Sequence, residues 1–333
     1  MRLLVFLSIA LWAFSTSALL TKRVCKKLLE HAILDQPNAR SMHTAPVPRG
    51  GGLAVIAVLG LGLIFLLPFS FLPALYLFLA TGILSLVGWY DDKKGASISL
   101  RLSAHLLAAT LGCFALEPHA VFFEDLLPFW LDRGLIILGW VWFMNLYNFM
   151  DGIDGITSIQ SICCALGIAL ILLISIETAF LPFALAALTI GSCGGFLLFN
   201  WHPAKVFLGD VGSVPLGFIV GFLLLTIGIQ GYPWAALILP LYYLADSGIT
   251  LTKRLLRREK IWKPHRQHFY QLAAASIGNH HRVVLWILLT NIALIALSLF
   301  SLFSSLWAFF ISLIVVALLL KKMHKSAKKV ESS

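Results

Sequence analysis

The feature that most constrains this chain is the recurrence of long apolar runs. There are about eleven, each roughly the 18–22 residues that a helix needs to cross a hydrocarbon core of about 30 Å. They fall near 3–21, 51–69, 72–90, 102–118, 133–150, 156–176, 180–199, 213–230, 233–252, 283–301 and 304–320. Of 333 residues 59% are hydrophobic and 12% charged, with a mean hydropathy of +0.91, and a soluble surface needs about twice that charge. The expected fold is all-α, a polytopic membrane protein forming a single integral domain over 1–333. No strict internal repeat and no soluble domain is visible.

The basic residues set the expected orientation, because Lys and Arg collect in short cytoplasmic loops. If the runs alternate, every basic residue except Arg2 and Arg133 falls on one side. That side holds the polar segments 22–50, 91–101, 151–155, 200–212 and 253–282 and the basic tail 321–333. The N-terminus is therefore expected outside, the C-terminus in the cytoplasm, and any active site on the cytoplasmic face. Residues 1–20 also have some character of a cleaved signal peptide, with small residues at Ser15–Ala18. The four basic residues that follow favour a retained span. A net charge of +10 is explained by anionic headgroups beside the spans and does not call for nucleic acid. Cys25, Cys113, Cys163, Cys164 and Cys193 have no metal-ligand spacing and imply no disulfide framework. The glycines Gly191–Gly195 read as a helix-packing stripe.

Only fifteen residues are acidic, and five of them sit where apolar runs meet polar segments. Asp91 and Asp92 follow Trp89-Tyr90. Asn145, Asn148, Asp151 and Asp154 recur every third residue, and Asp210 lies in Phe207-Leu208-Gly209-Asp210-Val211-Gly212-Ser213. Carboxylates near membrane depth are costly unless they face a wet cavity or a partner, so this concentration reads as a divalent-cation site. Each three-residue step leaves a 60° drift on an ideal helix. One pocket therefore receives all four residues from Asn145 to Asp154 only if the helix breaks, and Gly152 and Gly155 are where a break is expected.

Three further elements carry chemistry. Phe207 offers a flat ring for a base. Pro264-His265-Arg266-Gln267-His268-Phe269-Tyr270-Gln271 supplies an arginine that forks onto phosphate oxygens and two histidines, His265 and His268, that donate a hydrogen bond or a proton. His43 and Arg49, before Gly50–Gly52, form a weaker binding element. Asp246 is expected to pair with a basic loop residue. Oxygen-rich donors favour magnesium over zinc. The chain has neither a Gly-x-x-x-x-Gly-Lys-Ser/Thr phosphate loop nor a Gly-x-Ser-x-Gly elbow.

Together, His43 through Gly52, Tyr90-Asp91-Asp92, Asn145 through Gly155, Asn200 through Ser213 and Arg266-x-His268 resemble the polyprenyl-phosphate N-acetylhexosamine-1-phosphate transferases. The resemblance implies transfer of a sugar-1-phosphate from a UDP-N-acetylated sugar to undecaprenyl phosphate, with UMP released, at a bacterial inner membrane. It implies Mg²⁺, or Mn²⁺, held by Asp210 and Asp151. Asp91, Asp92, Asp151 and Asp154 would be catalytic, and Asn148, Phe207, His265, Arg266, His268 and Arg49 would bind substrate. The muramoyl-pentapeptide branch carries consecutive histidines where this chain has His265-Arg266-Gln267-His268. The resemblance is therefore to the branch that starts O-antigen or other surface polysaccharides, and it leaves a homodimer open. The competing readings are a cation- or proton-coupled transporter of a phosphorylated solute and a noncatalytic scaffold.

Overall fold

A computed structural model describes residues 1–37, 46–117, 121–122, 126–174, 180–260 and 265–331. His43, Arg40 and Lys263 lie outside these residues. The described chain is a bundle of helices: α1 (Arg2–Glu30), α2 (Gly52–Leu66), α3 (Phe71–Lys94), α4 (Ile98–Ala115), α5 (Phe129–Phe149), α6 (Ile156–Ile174), α7 (Phe180–Asn200), α8 (Asp210–Ile229), α9 (Pro233–Ile238), α10 (Leu241–Leu256), α11 (Phe269–Ile277), α12 (His280–Phe300) and α13 (Ser305–Glu331). Two short strands, β1 (Leu34–Asp35) and β2 (Val47–Pro48), pair antiparallel, Leu34 opposite Pro48.

Each expected span falls on a helix or a helix pair. Among the described residues eight helices are long and apolar enough to cross a membrane: α1, α3, α4, α6, α7, α8, α12 and α13. This is a multi-pass membrane protein. The other three expected spans depart from that standard for physical reasons. α2 has 15 residues and is short. α5 is diluted by Asp132, Arg133, Asn145 and Asn148. The run expected as one span over 233–252 is broken into α9 and α10 at Leu239-Pro240, because proline lacks the N–H for the helix ladder and crowds the preceding turn. Several segments expected as loops are helical: α3 continues through Asp91 and Asp92 to Lys94, α11 fills part of 253–282, and α13 runs on into the basic tail.

Burial ranks the layers. In α8, 83% of the apolar window is buried, and in α6 and α7 78%, against 17% in α1; the first three are the centre, and α1 presents most of itself to lipid. Trp140 of α5 ties itself to the centre, donating its indole N–H to the Phe218 carbonyl at 3.1 Å and stacking on the Phe218 ring. The glycine stripe packs as expected. Gly191 and Gly195 of α7 meet the backbone of α1 at Ala10 and Phe14, and Ser17 donates to the Ser192 carbonyl at 2.7 Å.

The end of α3, the end of α5 and the starts of α2, α6 and α8 meet at one end of the bundle, through the contacts given below. The α2–α8 contact there is backbone on backbone, since a Cβ at Gly52 would fall on Gly212. Gly52→Val should therefore cost about 2 kcal/mol or more, read as a lowered Tm in detergent micelles. Gly82→Ala, with nothing within 4 Å of the added carbon, should leave Tm unchanged or slightly raised.

Candidate active site

The site begins with a zipper between two chain segments far apart in sequence. The Phe207 amide donates to the Pro48 carbonyl at 2.8 Å. The Phe207 carbonyl accepts from Gly50 and Gly51, and the Leu208 carbonyl from Gly52. This fixes Arg49 between two helix ends. Its Nε lies 2.8 Å from Asp92 Oδ1 and its Nη2 2.8 Å from Asp210 Oδ1. Burial works against the guanidinium charge, but Asp92, Asp210 and Asp35 outweigh it and raise its pKa, so Arg49 is charged at any relevant pH.

Asp92 then accepts from the amides of Asp210 and Val211, both at 3.0 Å. Those are the first two N–H groups of α8, which have no partner within the helix. Asp92 is thus the N-terminal cap of the central helix, and its side chain is fully buried. Gly209 makes the approach feasible: its φ is +75°, and a Cβ there would press on the Asp92 carboxylate.

Asp91, one residue earlier and about 100° round the helix, faces elsewhere. It accepts from the Ala96 amide and from Arg101 Nη1 at 3.2 Å, on the crevice that Asp210 also lines. Asp210 Oδ2 accepts from Asn148 Nδ2 at 3.2 Å, and Asn148 is oriented in turn by Ser213, whose hydroxyl donates to Oδ1 at 3.0 Å. Asp91, Arg101, His105 and Asp210 line one small crevice with Gly88.

α5 ends at Phe149 and α6 starts at Ile156, so the break expected around Gly152 and Gly155 is present. The four residues at three-residue spacing still take separate partners. Asn145 bonds to the His105 ring at 3.0 Å and Asn148 to Asp210. Burial pushes the Asp151 pKa up to about 6, while Thr157 and Arg49 pull it down. Asp154 meets His202 Nδ1 at 2.6 Å, His280 Nδ1 at 3.3 Å and the Ala204 amide at 3.2 Å. Burial alone would raise the Asp154 pKa; these partners overcome it and hold the carboxyl below its ordinary value. Asn200 clamps the same loop, accepting from Gly155 and donating to the Val206 carbonyl.

The histidine segment is organised by Asp246. This buried carboxylate accepts from the Phe269 and Tyr270 amides at the start of α11, from Tyr242, and lies 3.2 Å from His268 Nδ1. The expected pairing of Asp246 with the basic loop is thus made through His268. His265 stacks on His268 at 4.9 Å between centroids. Burial, then the neighbouring His268 and Arg254, lowers the His265 pKa to about 4, which makes it a neutral ring at pH 7. Arg266 is half-buried beside it. Tyr270 brings the segment to the other parts of the site, its hydroxyl donating to the Phe149 carbonyl at 3.0 Å. Phe207 is half-buried.

Arg101, His105, Ser213, His202, His280 and Tyr270 were not singled out from sequence. His105 had a signal, a histidine inside an apolar run one turn after Arg101; the others are defined only by tertiary contacts. For a divalent cation of the magnesium class, the fit rests on donor chemistry. Asp91 and Asp210 bring two carboxylates to one crevice, and both are hard oxygen donors; Asn148 meets Asp210 through its NH2 group, its oxygen being turned to Ser213. Asp151 stands in the adjoining loop.

A bundle of membrane helices with a carboxylate cluster at one end defines the class, and comparison with known proteins places it further. Residues 74–228 match the model of glycosyl transferase family 4. A Bacillus subtilis protein named probable undecaprenyl-phosphate N-acetylglucosaminyl 1-phosphate transferase is 26% identical over 317 residues, covering 90% of this chain and 86% of that protein. Phospho-N-acetylmuramoyl-pentapeptide-transferases are also similar. That of Chlamydia pneumoniae is 29% identical over 53% of this chain and 58% of its own, and that of Treponema pallidum (strain Nichols) 31% over 66% of each. The chain spans less than two thirds of either of these two. These matches make the chain similar to glycosyl transferase family 4 and to its polyprenyl-phosphate sugar-1-phosphate transferases.

The adjacent aspartates should separate in experiment. Asp92→Ala removes the α8 cap and leaves Arg49 with one partner, costing about 3 kcal/mol. Asp91→Asn keeps the shape and should cost under about 1 kcal/mol. Thermal unfolding of both variants in one detergent checks this.

Proposed function

We propose that this protein transfers an N-acetylated sugar-1-phosphate from a UDP-sugar to undecaprenyl phosphate, giving a polyprenyl diphosphosugar and UMP. It would be the first membrane step of O-antigen or another surface polysaccharide, at the cytoplasmic face of a bacterial inner membrane. The observation that carries this is the Asp91–Asp210 pair held between Arg49, Arg101 and Asn148 where membrane helices end. That is a place where a water-soluble diphosphate and a lipid-borne phosphate can meet. The activities for which the relatives are named support a sugar-1-phosphate transfer, and so does the gathering of basic residues at the same helix ends.

The central difficulty is repulsion between two phosphates. Asp210 with Asp91 or Asp151 would hold Mg²⁺, which when bound would supply the charge that neutralises the donor diphosphate. Arg49 keeps Asp210 in place, and Ser213 orients Asn148 so that its NH2 group donates to Asp210. Asp91, anchored by Arg101 and the Ala96 amide, would orient the acceptor. A phosphate monoester has a second pKa near 6 and is largely dianionic at neutral pH, so the acceptor attacks without needing a strong base, in a single displacement governed by alignment. Phe207 would stack on the uracil. Arg266, with His265 and His268, would contact the diphosphate from α11, whose start reaches Phe149.

Asp92 supports the reaction by fixing α8. Asp154 would line the nucleotide side of the pocket. The donor is read as GlcNAc or a 6-deoxy N-acetylated hexose, because the segment from His265 to His268 lacks consecutive histidines. A transporter reading gains no observation: the aspartates cluster at one end of the bundle and are locked into helix caps and ion pairs.

Purified protein given undecaprenyl phosphate, Mg²⁺ and a panel of UDP-N-acetylhexosamines should release UMP and form a lipid diphosphosugar detectable by mass spectrometry. EDTA should stop the reaction and Mg²⁺ restore it. Asp210→Asn should lower the rate roughly 100-fold or more; unchanged UMP release in that variant contradicts the assignment.

A further inference from the structure

Next to the oxygen cluster stands a group of different chemistry. Asp154 in the α5–α6 connection, His202 in the turn after α7 and His280 at the first position of α12 converge from three parts of the chain. Their ligand atoms all lie within 4.8 Å of one another. Asp154 is buried, the His280 side chain is 8% exposed, and the His202 side chain is about one-third exposed at 32%, so the group is walled on one side and open on the other. The imidazole rings sit 4.9 Å apart at 46°.

As a hydrogen-bonding arrangement the group is unsatisfactory. Both rings aim Nδ1 at the same oxygen, Asp154 Oδ2, which already accepts from the Ala204 amide. His202 makes a good bond at 2.6 Å. His280 Nδ1 stands 3.3 Å away and completes no hydrogen bond, although it is buried. An unpartnered buried nitrogen is costly. A cation among the three atoms would remove that cost, engaging both ring nitrogens and the carboxylate at once.

We propose that Asp154, His202 and His280 bind a divalent transition-metal ion of the zinc class, at a site separate from the oxygen cluster of Asp91 and Asp210. The chemistry of the donors carries the choice. Two imidazoles and one carboxylate suit zinc, which binds such ligands at roughly 2.0–2.1 Å and leaves a fourth position for water. Magnesium prefers oxygen throughout. Ligand atoms on tetrahedral zinc stand roughly 3.3 Å apart, so His202 Nδ1 and Asp154 Oδ2 would open by less than an ångström. The Ala204 amide orients the carboxylate from outside, as second partners of metal ligands do.

Such an ion would staple α12 to the two connections that carry Asp151 and Phe207, while residues 151–155 stay clamped by Asn200. The inference does not depend on the transferase reading, and its test reads metal rather than turnover. Full-length protein in detergent, without a polyhistidine tag and stripped by chelation, is titrated with Zn²⁺ against a chromophoric zinc indicator, with Mg²⁺ in large excess.

One equivalent of Zn²⁺ should bind and raise Tm by a few degrees. His202→Ala and His280→Gln should each weaken binding roughly 100-fold and remove the Tm rise, and Asp210→Asn should leave both intact. A monodisperse gel-filtration profile certifies each variant as folded, and His280→Gln keeps a polar side chain of similar reach. Failure of the wild type to bind Zn²⁺ above the Mg²⁺ background overturns the proposal. So does stoichiometric binding that survives in both histidine variants.

Discussion

The structure depends on one charged knot, in which Arg49 forks between Asp92 and Asp210 while Asp92 caps α8. α8 is the most buried of the membrane-length helices, so its N-terminal N–H groups have little chance of finding water. A carboxylate from α3 supplies what water cannot, and the positive end of the helix dipole makes the position favourable for a negative charge. Arg49 then balances the charge that Asp92 brings in. Remove either partner and the other is left ionised with its main counter-charge gone, the expensive outcome for a buried pair. The zipper between residues 48–52 and 207–208 holds Arg49 in that position, which is why a segment that is mostly backbone contacts matters to the chemistry.

That knot explains why two neighbouring aspartates have different duties. Successive helical residues point about 100° apart, so Asp91 and Asp92 at the end of α3 cannot both face one ligand. Asp92 looks into the α8 terminus and Asp91 along the crevice toward Arg101 and Asp210. The same geometry separates Asn145 from Asn148. Their three-residue spacing leads one to His105 and the other to Asp210, although both stand on α5.

The site was legible in the sequence to the extent that charge in an apolar chain has few reasons to be there. Asp91 and Asp210 were picked out on that ground, Asn148 by its three-residue spacing and Arg49 as a weaker element before Gly50–Gly52, and the structure brings Arg49 and Asn148 to Asp210. Hydropathy was a good guide to where helices form and a poor one to where they end. It passed over Pro240, because a proline inside an apolar run changes backbone geometry without changing the average. It also stopped α3 short of Asp91, since charged residues continue a helix well when its end reaches polar surroundings. Asp246 and His268, 22 positions apart, and Asp154 and His280, still further, meet only through packing. A periodicity argument reaches one turn along a helix and has no means of pairing such residues.

The charges at this end of the bundle also set what it can accept. Arg49 and the α8 amides neutralise Asp92, and Arg101 neutralises much of Asp91. Asp210 shares Arg49 with Asp92, so Asp91 and Asp210, which line one crevice, are less than fully compensated by arginine. Bringing a diphosphate and a phosphate monoester to such a place adds several more negative charges in a low-dielectric setting, where like charges repel strongly. Arg101, which pairs with Asp91, lines that same crevice, and Arg49 pairs with Asp210. In the proposed reaction, a small, doubly charged ion held by the carboxylates would offset that repulsion. On the proposed reading, the surplus of carboxylate over arginine is what makes room for that ion, and full compensation by arginine would stabilise the fold while disabling the site.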